Sequence, residues 1–485
     1  MRPRMTKRMR VGCVLGLIGA SAVWAIPGTE AQSVAEPASG RPAGEVRAGS
    51  SVALSLDDAI KRALDTHETV AQAGEAIRSA EAGLMEARAG RWPHLDVGGE
   101  YAHNIKKPSF FLPAEFGTSL GGAAKVEMGG DYDVTGAVTA TWSLWTAGRL
   151  SAAMGAAREW VATAQCREAA TRDYVRFQVR SAYCAALLAV ENLSIAERAV
   201  SETEEAARVA RAGFDAGTVS RFDLQRAEVE LANRRAPLVE AKNAVDQAFL
   251  SLGRLCGLAP GAAPTLTDTL APVVHPRPVE ELLDLMRDHS PELLALDHAV
   301  ASARQRVDLQ RAQRWPLMQL SGQYVLQGEW DDDPLPEEDN LATSANVALG
   351  VSIPIFDGFE TKGRIESARA DLRAAQLELS RVSRDKELAV RQALLHLENA
   401  LVALEGREEV VALAEEAHRL ALVRLENGLA TPLERLDAES AMTTARAQLA
   451  AALYAANIAE ATLQLTIGAP LSGTMADPSG RTHHE

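Results

Sequence analysis

Residues 134–145 read VTGAVTATWSLW, and residues 343–356 read TSANVALGVSIPIF. In the first stretch Val134, Gly136, Val138, Ala140, Trp142 and Leu144 share one parity, with Thr135, Thr139, Thr141 and Ser143 between them. In the second, Ala345, Val347, Leu349, Val351, Ile353 and Ile355 alternate with positions that include Ser344, Asn346 and Ser352. A period of two marks a strand with one oily face and one wet face. Runs of ~10–13 residues have the length of a strand that crosses a bilayer. Residues 95–103 (Val97 and Tyr101 against Asp96 and Glu100) and 317–326 (Leu320 and Tyr324 against Gln319 and Gln323) are weaker versions. Trp142, Tyr101 and Tyr324 suit interfacial aromatic girdles. A sheet in lipid tolerates no open edge, and the smallest closed barrels need about eight strands. Four strands per chain therefore demand oligomerisation, most simply a trimer with about twelve strands.

Outward from these strands the chain is written twice. Amphipathic helical stretches at 54–93 and 278–316 both end in Arg-Trp-Pro, at Arg91–Pro93 and Arg314–Pro316. Farther on, Gly428 answers Gly217, Ala438 answers Ala227 and Glu439 answers Glu228, each 211 residues later. That period is far longer than the ~20–50 residues of a solenoid repeat, so it marks a duplicated half. No proline interrupts 148–214 or 363–431. Val175, Val179, Ala182, Ala186, Ala189, Leu193, Ala196 and Val200 alternate steps of four and three, as do Val390, Leu394, Leu397, Leu401 and Leu404. Such spacing predicts left-handed coiled-coil packing. Gly217 and Gly428 are helix-ending glycines followed by restart signals, which predicts a helical hairpin in each half.

The predicted organisation is a signal peptide at 1–31, an N-terminal linker at 32–52, a first repeat at 53–272 and a second at 273–472, with a flexible tail at 473–485. The first repeat holds strands at about 95–104 and 132–145 and a hairpin at 148–253; the second holds strands at about 317–327 and 343–356 and a hairpin at 363–467. The signal reading rests on a basic head (Arg2, Arg4, Lys7, Arg8, Arg10), an apolar run and small-residue cleavage sites near Ala25 or Ala31.

With 485 residues, 65 acids against 50 bases and a net charge of −15, the chain has no basic balance with which to neutralise phosphates, which argues against nucleic acid. No Gly-x-x-x-x-Gly-Lys-Ser/Thr loop, His-Glu-x-x-His or Cys-x-x-Cys occurs. Cys166 and Cys184 lie 18 residues apart on one predicted helix, about 27 Å along its axis and far beyond disulfide reach. The sequence offers no assembled catalytic site, no cofactor and no metal centre.

The opening LSLDDA helix at 54–59, the Arg-Trp-Pro junctions, the exits LWTAGR at 144–149 and IFDG at 355–358, the hairpin glycines and the Gly-Leu-Ala-Pro and Gly-Ala-Pro ends resemble the TolC-like outer-membrane efflux protein family. The match runs in order over about 52–472. The resemblance implies a mainly α fold with a membrane β-barrel, in which a homotrimer builds a twelve-stranded barrel plus a periplasmic α-barrel. It also implies a non-enzymatic exit duct, in contact with outer-membrane lipid, that docks on a periplasmic adaptor (membrane fusion protein) and an inner-membrane pump. The cell would be a Gram-negative bacterium. By the same resemblance, carboxylates three residues apart after the second hairpin glycine narrow the pore, and the matching positions are Glu434 and Asp437. Arg221, Asp223 and Arg226 are candidate gate tethers. Gly217, Thr218, Val219, Ser220, Gly428, Leu429, Ala430 and Thr431 are candidate adaptor-docking tips. A soluble periplasmic coiled-coil adaptor or scaffold is the alternative, and it predicts one hairpin and no lipid-facing strands.

Overall fold

The computed structural model describes residues 53–111, 125–127, 129–259, 264–270, 277–331 and 334–470. The expected signal peptide, linker and tail lie outside the described residues. In chain order the elements are β1 (Ala53–Leu54), α1 (Leu56–Thr66), α2 (Glu68–Ala89), β2 (His94–His103), β3 (Ser109–Phe111), β4 (Lys125–Glu127), β5 (Tyr132–Trp145), α3 (Arg149–Asp215), α4 (Arg221–Leu255), β6 (Thr265–Leu266), α5 (Val279–His289), α6 (Pro291–Ala312), β7 (Leu317–Trp330), β8 (Leu341–Ser352), α7 (Glu360–Glu426) and α8 (Pro432–Ile467). They form two compact units, one around the sheet and one around the helices.

In the sheet unit the strand order is β2-β5-β7-β8, antiparallel throughout. The register sorts side chains by chemistry. Val97 is paired with Val138, Val138 with Tyr324 and Tyr324 with Ala345 across the sheet; one row along, Leu95, Ala140, Gly322 and Val347 line up, and Trp142, Leu320 and Leu349 follow. All of these lie on one face. The opposite face holds Asp96, Thr139, Gln323 and Asn346, then Glu100, Thr135, Gln327 and Ala342. Val97, Leu95, Val347, Leu349 and Val351 are exposed within the single chain. Tyr101, Tyr132 and Trp330 cluster at one end of the strands, and the Trp142 indole donates to the Arg91 carbonyl at 2.9 Å near the other. Tyr324 lies mid-strand, so of the three aromatics expected in girdles only Tyr101 and Trp142 stand toward the ends. β8 ends two residues before Pro354, which has no N–H to donate to a ladder.

The helical unit repeats its core. Ala59, Ala63 and Val70 of the first half are answered by Leu282, Met286 and Leu293, each 223 residues on. Leu252 and Cys256 are answered by Leu463 and Ile467, each 211 residues on. The offset changes because the first half carries 12 more residues between the start of its strand pair and the start of its long helix, most of them in the connection between its two strands. Heptad positions Val175, Val179, Ala186 and Ala189 of α3, and Val390, Leu394 and Leu397 of α7, are buried, and each 67-residue helix extends roughly 100 Å. α4 runs through Pro237, which deletes one backbone donor from its interior.

The two-stranded β1–β6 pair is parallel. Beside it the buried Tyr183 hydroxyl lies 2.9 Å from the Leu54 carbonyl and 3.0 Å from Asp268 Oδ2, which also accepts the Leu56 N–H at 2.8 Å. Burial, then the neighbouring carboxylate of Asp268, pushes the phenol above its ordinary range. The strand exits repeat as well: Ala147 and Gly148, then Gly358 and Phe359, are consecutive left-handed residues at equivalent positions.

Arg180 of α3 reaches Glu460 of α8 at 2.5 Å and Gln464 at 2.8 Å in a largely water-free contact. Arg180→Ala would strand Glu460 and is expected to lower stability by about 3 kcal/mol. Arg180→Met combined with Glu460→Met should recover most of it, as read by the denaturant midpoint of the helical circular dichroism signal.

Candidate functional site at the hairpin tips

Both helical turns are built by the same device. At the first, the Thr218 N–H donates to the Gly213 carbonyl at 2.8 Å and Gly217 N–H to Phe214 at 2.9 Å. At the second, Leu429 donates to Arg424 at 2.8 Å and Gly428 to Leu425 at 3.0 Å. These paired bonds close a Schellman cap. They require a left-handed residue, and Gly217 (φ +78°) and Gly428 (φ +70°) supply it. The return helices restart on hydroxyl caps: Ser220 accepts from the Asp223 N–H at 3.1 Å, and Thr431 from the Glu434 N–H at 3.3 Å. Asp223 and Glu434 thus occupy the same third helical position, where a carboxylate meets the positive end of the helix.

From this restart the two hairpins diverge. Glu434 and Asp437 are both exposed, one turn apart on α8, while Glu439 on the opposite side is buried. Arg424, from the end of α7, stands 3.7 Å from Glu434 and donates to the Leu429 carbonyl at 3.2 Å. Asp437 makes no ion pair or side-chain hydrogen bond among the described residues. In the first hairpin the equivalent positions are Asp223 and Arg226. Asp223 takes the Ser220 hydroxyl at 2.7 Å, and neither Arg221 nor Arg226 makes an ion pair among the described residues. The structure therefore does not join Arg221, Asp223 and Arg226 to one another within the chain. At the tips Thr218 Oγ1 donates to Gly213 at 3.0 Å, and Leu429 is an exposed apolar side chain. The Arg424–Glu434 contact went unread in the sequence. An arginine four residues before a hairpin glycine, with an acid six residues after it, is the pattern that reveals it.

Comparison with known proteins places this geometry. The model of the family described as outer membrane efflux protein matches residues 59–258 and 282–469, one match per repeat. Protein CyaE of Bordetella pertussis is 30% identical over 343 residues, covering 69% of this chain and 70% of the relative. The cobalt-zinc-cadmium resistance protein CzcC of Cupriavidus metallidurans is 25% identical over 398 residues, covering 81% and 85%. The crystal structure of VceC from Vibrio cholerae superposes with a TM-score of 0.69 at 19% identity, covering 86% of this chain and 96% of that one. The chain belongs to the outer membrane efflux protein family. It is a non-enzymatic channel component of the outer membrane, in a family with a periplasmic helical extension and trimeric assembly within tripartite systems. The soluble scaffold reading falls with this assignment and with the two hairpins and the apolar sheet face.

Gly217→Ala and Gly428→Ala each force a Cβ into the left-handed region, a change of about 1 kcal/mol. The expected outcome is faster amide hydrogen exchange across the altered turn, with protection of the buried α3 and α7 heptads unchanged.

Proposed function

We propose that the channel is a passive exit duct whose periplasmic constriction is lined by Glu434 and Asp437. The single observation that carries this is their joint exposure one helical turn apart, directly after the Gly428 turn, while the neighbouring Glu439 is buried. Two acids from each of three chains form a ring that favours cations and resists closing without counter-ions. Asp437 holds the freer charge, because Glu434 has Arg424 beside it. Arg221 and Arg226, without ion-pair partners among the described residues of their own chain, are available as tethers to a neighbouring protomer.

The tips, Gly217 to Ser220 and Gly428 to Thr431, dock a periplasmic adaptor that links the duct to an inner-membrane pump. Leu429 is the apolar anchor of that dock, and the small residues around it let a partner backbone approach. The pump supplies energy and selects cargo.

Glu434→Gln with Asp437→Asn is expected to bring the cation-to-anion permeability ratio in planar bilayers toward unity and to raise conductance. Unchanged ion preference would remove both residues from the pore. A photo-crosslinker at Thr218 in living cells should capture an adaptor peptide, identified by mass spectrometry; exclusive capture of its own chain would remove the first tip from the dock.

A further inference from the structure

One acid of the second hairpin has no role in the duct described above. Glu439 is 3% exposed, and its Oε2 atom has no hydrogen-bond partner. The Arg435 guanidinium, one turn earlier on α8, stands 3.5 Å from that oxygen, close enough for charge attraction without hydrogen-bond geometry. Two other helices face the same carboxyl. α3 presents Glu202, and α4 presents Arg234, which is itself engaged with Glu230 at 2.8 Å. Burial pushes the Glu439 carboxyl above its ordinary range. Arg435 pulls it back, the Glu202 charge raises it again, and Arg234 offsets part of that.

The two repeats differ around this acid. Its counterpart 211 residues earlier, Glu228, pairs across the first hairpin with Arg211 and keeps 41% of its side chain in water. In the second hairpin the place of Arg211 is taken by Leu422. Glu439 therefore lacks the cross-hairpin cation that pairs with Glu228. It packs instead against the first hairpin, where the facing group on α3 is another carboxyl.

We propose that Glu439 carries a proton and donates it to the Glu202 carboxyl that faces it, and that this bond ties the first two turns of α8 to the α3–α4 hairpin. Two ionised carboxylates cannot stand together in a poorly hydrated seam, whereas one proton turns their repulsion into an O–H···O bond. Glu439 is then a positioning residue for Glu434 and Asp437, which ride on the same two turns; this part rests on the constriction reading. Because the proton-bound form is favoured in the packed seam, the tie is at full strength at acid pH. It weakens as pH rises above the ordinary glutamate range and is lost above the raised value. Loss of the Glu439 proton removes that bond, frees the start of α8 and widens the constriction.

The test has two readouts on the full-length trimer. In planar bilayers swept from about pH 5 to about pH 8, wild-type conductance is expected to climb by about twofold or more. Glu439→Gln supplies a permanent donor to Glu202 and should hold the acid-pH conductance throughout, while Glu439→Asp should restore a pH response. A Glu439→Gln profile that titrates like wild type would overturn the positioning role. Independently of the pore, infrared difference spectra at about pH 5, just above the ordinary glutamate range, should show the carbonyl band of a protonated carboxyl in wild type that is missing in Glu439→Gln. Absence of that band in wild type would overturn the protonated Glu439. If the band is present and the Glu439→Gln profile is flat, yet Glu434→Gln with Asp437→Asn leaves ion preference unchanged, the tie stands and the constriction reading alone fails.

Discussion

Everything in this chain answers to two unpaired strand edges. The sheet stops at β2 on one side and β8 on the other, and neither outer edge finds a partner among the described residues. Its one face is a continuous field of Val97, Val138, Tyr324, Ala345 and their neighbours, which belongs in hydrocarbon. There each unsatisfied N–H or carbonyl costs several kcal/mol. A lone chain cannot meet that cost, so the edges must be closed by other copies. The trimeric assembly of the family is the outcome. The pairing of β5 with β7 is what makes the arrangement work, because it joins a strand of each half into one four-stranded segment.

The duplication supplies the rest cheaply in sequence terms. One hairpin design, with its glycine cap, hydroxyl restart and cross-hairpin salt bridge, is used twice. Glu204–Arg235 at 3.4 Å and Glu415–Arg446 at 2.9 Å are the same pair 211 residues apart. The copies differ at a few matched positions. Asp437 stands where the first hairpin has Arg226, which puts the acid pair on the second return helix only. Leu422 stands where the first hairpin has Arg211, so Glu439 lacks the cross-hairpin cation that Glu228 has.

The sequence by itself determined the strands, the long helices, the turns and the doubling, since each is a local pattern: a period of two, steps of four and three, a glycine where a left-handed residue is required. It also marked Glu434 and Asp437 as neighbours on one helical face, because a spacing of three residues suffices for that. It did not mark which acids face water. Glu434, Asp437 and Glu439 read alike along the chain, yet the last is buried and the first two are not. Nor did it show Arg180 on Glu460, Tyr183 on Leu54 and Asp268, or Glu202 facing Glu439. Those contacts join residues roughly 80 to 280 positions apart. Local periodicity fixes which way a side chain points from its own helix, whereas burial and charge depend on what the next helix brings opposite it, and only the packed tertiary structure decides that.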